Sequence, residues 1–121
     1  MKIKHVKVDV YRWKVDVIEL SNKDTFDDVQ KVIQKYKLGK EITDTIKKEM
    51  KENCRDGGYT FTKYGKWQSV IFLYKMSSKK IRRNILNHEK RHVEDDIVQY
   101  LGINDKEAVA YLAGYLSENI Y

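Results

Sequence analysis

The sequence predicts an α+β domain in which a small antiparallel sheet of about three strands packs with about four helices. Three observations carry this. Residues 3–20 alternate β-branched or aromatic side chains with polar ones, and 59–75 hold two further strand-like runs. Four stretches space apolar residues by three and four, the mark of helices with one buried stripe. The order is strand, two helices, two strands, two helices, which suits helices laid against an antiparallel sheet. With 121 residues and no Pro-rich or Gly/Ser-rich linker, the chain reads as one domain, 1–121, without internal repeats.

The first segment alternates Val6, Val8 and Val10 with Lys7 and Asp9, then Tyr11, Trp13, Val15 and Val17 with Arg12, Lys14 and Asp16. The apolar set changes parity between Val10 and Tyr11, so the segment is a bulged strand or a hairpin pivoting near Tyr11–Arg12. Thr25 precedes the first helix, on which Phe26, Val29, Val32, Ile33 and Tyr36 form the stripe, and Gly39 is placed to close it. A second helix runs from Glu41 to about Asn53 with Ile42, Ile46 and Met50 aligned. Asp56-Gly57-Gly58 marks a turn, and the runs 59–63 and 67–75 form a hairpin around Tyr64-Gly65-Lys66. Ser77 and Ser78 are N-cap residues for a long helix from about Lys79 to Leu101, which Gly102 ends; Asn104 is placed to cap the last helix.

Composition bounds the function. Hydrophobic residues at 41% and charged residues at 35% describe a modest core under a charged surface. The longest apolar run, Val70 to Tyr74, is far short of the roughly 20 residues a membrane span requires, so no membrane segment is expected and the chain is read as cytoplasmic. The single Cys54 excludes an intramolecular disulfide and reads as a packed small side chain. A net charge of +6 admits a nucleic-acid partner; the densest cluster, Lys75, Lys79, Lys80, Arg82 and Arg83, is either a solvated junction or a patch for something anionic.

The chemistry concentrates at His88-Glu89-Lys90-Arg91-His92 on the long helix. Histidines four residues apart stand one turn from each other on one face, close enough to hold one ion at metal–nitrogen distances of about 2 Å. Glu89 is placed to take a proton from a metal-bound water without being a ligand. Ile81 and Ile85 precede His88 on its stripe, as though that stripe faced the sheet. The alternative is an exposed helix surface braced by Lys90–Glu94 and Arg91–Asp95 pairs. His5 lies apart and reads as packed or solvent-facing. A catalytic zinc needs a third protein ligand. Among Glu94, Asp95, Asp96, Asp105, Glu107 and Glu118, Glu107 is favoured because the short Gly102-Ile103-Asn104 connection folds the last helix back; the competing role for Glu107 is a capping pair with Asn104.

The segments Asn87 to His92, Gly102-Ile103 and Asp105 to Leu112 resemble a family of small phage and mobile-element zincin-like proteins, in which an HExxH helix is followed by an acidic residue in an E-A-x-A-Y-L context. The resemblance covers the last third of the chain well and the sheet loosely. It implies a zincin-like fold and a gluzincin-type site, with one zinc ion held by His88, His92 and Glu107 and with Glu89 as general base. Lys90 and Arg91 depart from the apolar residues many such sequences carry between the histidines, which implies a more exposed helix side or an acidic partner. The expected activity is hydrolysis of peptide or protein substrates, with the 67–74 strand as a substrate-binding edge. The rival expectations are a catalytically inactive zinc-binding scaffold acting through a protein partner, and a basic nucleic-acid-binding protein in which the motif is incidental.

Overall fold

A computed structural model describes residues Met1–Tyr121. The elements are β1 (Lys2–Val8), β2 (Trp13–Glu19), α1 (Phe26–Tyr36), α2 (Lys40–Lys51), β3 (Gly58–Lys63), β4 (Gln68–Leu73), α3 (Lys79–Leu101) and α4 (Lys106–Asn119). The fold is α+β with four helices, as expected, but the sheet is larger and different in kind. It has four strands in the order β1-β2-β4-β3; both outer pairs are antiparallel and the central pair, β2 and β4, is parallel.

The extra strand comes from the parity change between Val10 and Tyr11, which is a hairpin turn. A single 3-10 turn, Asp9–Tyr11, is closed by Arg12 in the left-handed conformation (φ 52°). The second hairpin uses the same device, a 3-10 turn at Tyr64–Lys66 closed by Trp67 at φ 52°. Each half of the chain is therefore a hairpin followed by two helices, a duplication that the apolar pattern hides because the core residues differ. The symmetric strand order and the helix pairs on opposite faces are what a twofold axis between β2 and β4 would generate.

The two faces of the sheet support two separate cores, since alternate side chains point opposite ways. Val6, Val8, Trp13, Val15, Val17, Ile71 and Leu73 pack beneath α3 and α4. Ile18, Leu20, Val70, Phe72 and Tyr74 pack beneath α1 and α2. Trp13 is fully buried, its indole Nε1 donating to Ser69 Oγ at 3.0 Å and its ring meeting Tyr100 edge-on at 5.9 Å. We expect Trp13→Ala to cost about 4 kcal/mol, as large core truncations do. At roughly 4 °C per kcal/mol for a chain of this size, the melting temperature should fall by about 15 °C. A thermal melt showing a drop below about 5 °C would contradict this packing role.

Local signals explain where the helices begin and end, with three shifts from expectation. Thr25 caps α1 reciprocally with Asp28, but α1 ends at Lys37 in the left-handed region, and Gly39 (φ 86°) is instead the residue before α2. Ser78 caps α3 through Ile81 N, whereas Ser77 is bound by the Asp56 carboxylate. Gly102 closes α3 at φ 66°, and Asp105, not Asn104, caps α4. Cys54 is half-buried, and burial first, then Glu49 and Glu52, pushes its thiol up, which keeps it protonated as a packing side chain should be. No helix is long and apolar enough to cross a membrane.

Candidate metal centre

The core stripe of α3 is Leu86, Val93 and Ile97. At about 100° per residue, His88 and His92 fall on the far side of the helix from that stripe. Both are exposed, so the stripe through Ile81, Ile85 and His88 faces the sheet at Ile85, which packs against the core, and turns to solvent at His88. Glu89 lies between the two sides, 5% exposed and directed at β3, the outermost strand.

The two imidazoles converge. Their Nε2 atoms are 3.1 Å apart and their ring centroids 4.7 Å apart. Two nitrogens bound tetrahedrally at about 2.05 Å would stand about 3.3 Å from each other, so the spacing suits a shared ion. Without one it is a ring-to-ring hydrogen bond in which one imidazole donates to the other. His88, Glu89 and His92 offer donor atoms that all lie within 4.8 Å of one another, and this trio could hold a metal ion.

Glu89 is positioned by β3. Thr60 Oγ1 donates to its Oε2 at 2.5 Å. The helix approaches so closely that a Cβ on Gly58 would lie 2.9 Å from Glu89 Cγ, 3.1 Å from the Phe72 carbonyl oxygen and 3.2 Å from Ile85 Cγ2. Glycine is required here for proximity. Gly58→Ala is expected to cost about 1–3 kcal/mol, the usual range for overpacking. A thermal melt checks this; an unchanged melting temperature would refute the close approach.

The seam continues along the strand, where Thr62 donates to Asp96 at 2.7 Å and accepts from Ser69 at 2.8 Å. At its end the Tyr64 phenol is pushed up by burial first and by the Asp96 carboxylate next. Neither Thr60 nor Gly58 was legible as part of a site, because a threonine and a glycine in a strand carry no signal of what helix will cross them.

The structure does not bring Glu107 to the histidines. Lys90 Nζ on α3 donates to Ser117 Oγ on α4 at 3.0 Å, so the two helices run antiparallel and the first turn of α4 lies beside the C-terminal end of α3. From that register Glu107 sits roughly 12 Å along the axis from His92, eight residues at 1.5 Å each. It is exposed, and its backbone N–H donates to Asp105 Oδ1 at 2.8 Å. Bringing it to the pair would need a slide of about two helical turns.

The other acidic candidates are also occupied or remote. Glu94 is buried against Lys90 at 2.6 Å, Asp95 is paired with Arg91 at 3.4 Å, Asp96 holds Thr62, Asp105 is a cap, and Glu118 is exposed outside the cluster. Lys90 is therefore covered by α4 and neutralised by Glu94, while only Arg91 of the inter-histidine pair is open to solvent. His5 is largely exposed, with Nδ1 2.7 Å from Asp16 Oδ1 on the opposite side of the sheet from α3.

The fold and this cluster together define an α+β protein whose longest helix carries two exposed histidines beside a buried glutamate. Comparison with protein-family models, with curated proteins and with solved structures finds no match to the chain.

Proposed function

We propose that this protein is a zinc-dependent metallopeptidase. The observation that carries the reading is the convergence of two imidazole nitrogens beside a buried carboxylate, at the rim of an edge strand. Two converging imidazoles are donors that zinc accepts, and the resemblance to zincin-like proteins favours the same ion; with Glu107 remote and Glu89 kept as the base, the histidines would be its protein ligands. When bound there, zinc would supply Lewis acidity and bring a water's pKa near neutrality.

The chain's own residues divide the remaining work. His88 and His92 would hold the ion. Glu89 accepts a proton from the attacking water and returns it to the leaving amine, while Thr60 occupies one of its oxygens and so orients the other. Burial restricts the carboxylate to few rotamers, which suits a base that must face one point.

The substrate-binding edge is β3. The 67–74 run expected for this task forms β4, which is paired on both sides and has no free backbone edge. β3 pairs only with β4 and carries no charge from Gly58 to Thr62, so an extended peptide can add to it as a further strand beside the histidines.

The test is metal analysis followed by a peptide-library digest read by mass spectrometry. Stoichiometric zinc, cleavage lost on chelation and cleavage restored by zinc support the reading; a gently purified protein that takes up no zinc refutes it. A second reading, a zinc-binding scaffold acting through a protein partner, is favoured by the position of Glu107 away from the cluster. Its signature is bound zinc with no cleavage.

A further inference from the structure

At the end of the sheet away from the hairpin turns, β1, β2, the start of α3 and the segment Ile120–Tyr121 enclose a cleft of about 920 Å³. Lys2, Lys4, Lys79, Arg82 and Arg83 line it, and Glu19 is the one acidic side chain in its walls. Glu19 is already taken by Arg82, at 2.8 Å. The other four cations form no salt bridge. Arg83 lies over the Tyr121 ring, 5.4 Å from its centroid, which holds the guanidinium at the rim.

This gathering is unfavourable for the protein alone. Like charges within a Debye length of about 8–10 Å repel, and the first turn of α3 carries Lys79 and Lys80 with no acid, where the helix dipole favours anions. Two parts of the chain remote in sequence, β1 and the start of α3, bring these cations to one concavity. An anionic ligand relieves both effects.

We propose that the cleft binds the phosphate backbone of single-stranded nucleic acid. Three of the four free cations are lysines, point charges that tolerate phosphates spaced along a strand; carboxylates are better matched by the fork of arginine. Tyr121 supplies an aromatic surface beside the cations, the combination single-strand binders use. A concavity walled by β1 and α3 admits a flexible strand more readily than a rigid duplex. The cleft includes the edge strand β1, whereas the histidine cluster borders β3 at the other edge, so this binding is independent of the metal.

The test is fluorescence anisotropy with a labelled oligo-dT strand, with and without EDTA. If about four phosphates are neutralised, affinity should fall roughly 50-fold between about 50 and 200 mM salt. Lys79→Glu combined with Arg83→Glu should weaken binding at least about tenfold and flatten that slope, whereas Lys31→Glu with Lys35→Glu on exposed positions of α1 should leave affinity within about twofold. EDTA should change nothing. No binding, or equal loss in both variants with unaltered melting curves, overturns the proposal. Tighter binding of a labelled poly-glutamate peptide than of oligo-dT would assign the cleft to acidic protein segments instead.

Discussion

Glu89→Gln is expected to retain zinc and to lose peptide hydrolysis by about 10²–10⁴-fold, the usual contribution of a positioned general base. The amide preserves the shape of the side chain and can still accept from Thr60, so β3 and α3 stay in contact and the histidine pair is undisturbed. What it cannot do is take a proton. The readouts are zinc content and initial cleavage rate measured on the same preparation. If zinc and activity disappear together, Glu89 is a ligand, an outcome its donor distance from both imidazoles allows for, and the base must be sought elsewhere.

His92→Ala is expected to weaken zinc binding by more than about 100-fold, beyond the 10–100-fold cost of removing a contact that only supports a ligand. His88→Ala should match it, because the two Nε2 atoms face each other at 3.1 Å and neither has another protein partner. Folding should survive in both, since the side chains are exposed and lie opposite the buried stripe of Leu86, Val93 and Ile97. Glu107→Ala is the counterpart: in the observed register of α4 it should leave zinc affinity within about threefold, well short of the 10–100-fold cost of losing even a supporting contact. Competition against a chromophoric chelator measures all three. A large loss in Glu107→Ala would mean that α4 slides along α3 when metal binds.

The elements carried by local chemistry were legible. Ser78 and Gly102 bound α3 within a residue of where capping chemistry places them, and Thr25 announces α1. The spacing of His88 and His92 puts two imidazoles on one face in any helix, so the pair follows from residue type and periodicity alone. What failed were statements about one element meeting another. A parity change between Val10 and Tyr11 is compatible with a bulge or a turn, and only pairing partners decide that it is a turn. The short connection 102–105 correctly implies that α4 folds back, yet a fold-back does not specify register. The contact of Lys90 with Ser117 places Glu107 at the far end of α3.

The sequence by itself determined the positions of the four helices, the bounds of α3, the histidine pair, the adjacent carboxylate and the excess of positive charge. These depend on interactions within about one turn of chain, where spacing and capping act directly. Tertiary structure decided the mixed sheet, the role of β3 as the edge beside the pair, the requirement for Gly58, the hold of Thr60 on Glu89 and the separation of Glu107. Each of these is a meeting of residues about 15 or more positions apart, set by how two cores pack on opposite faces of one sheet, and no local pattern encodes that arrangement.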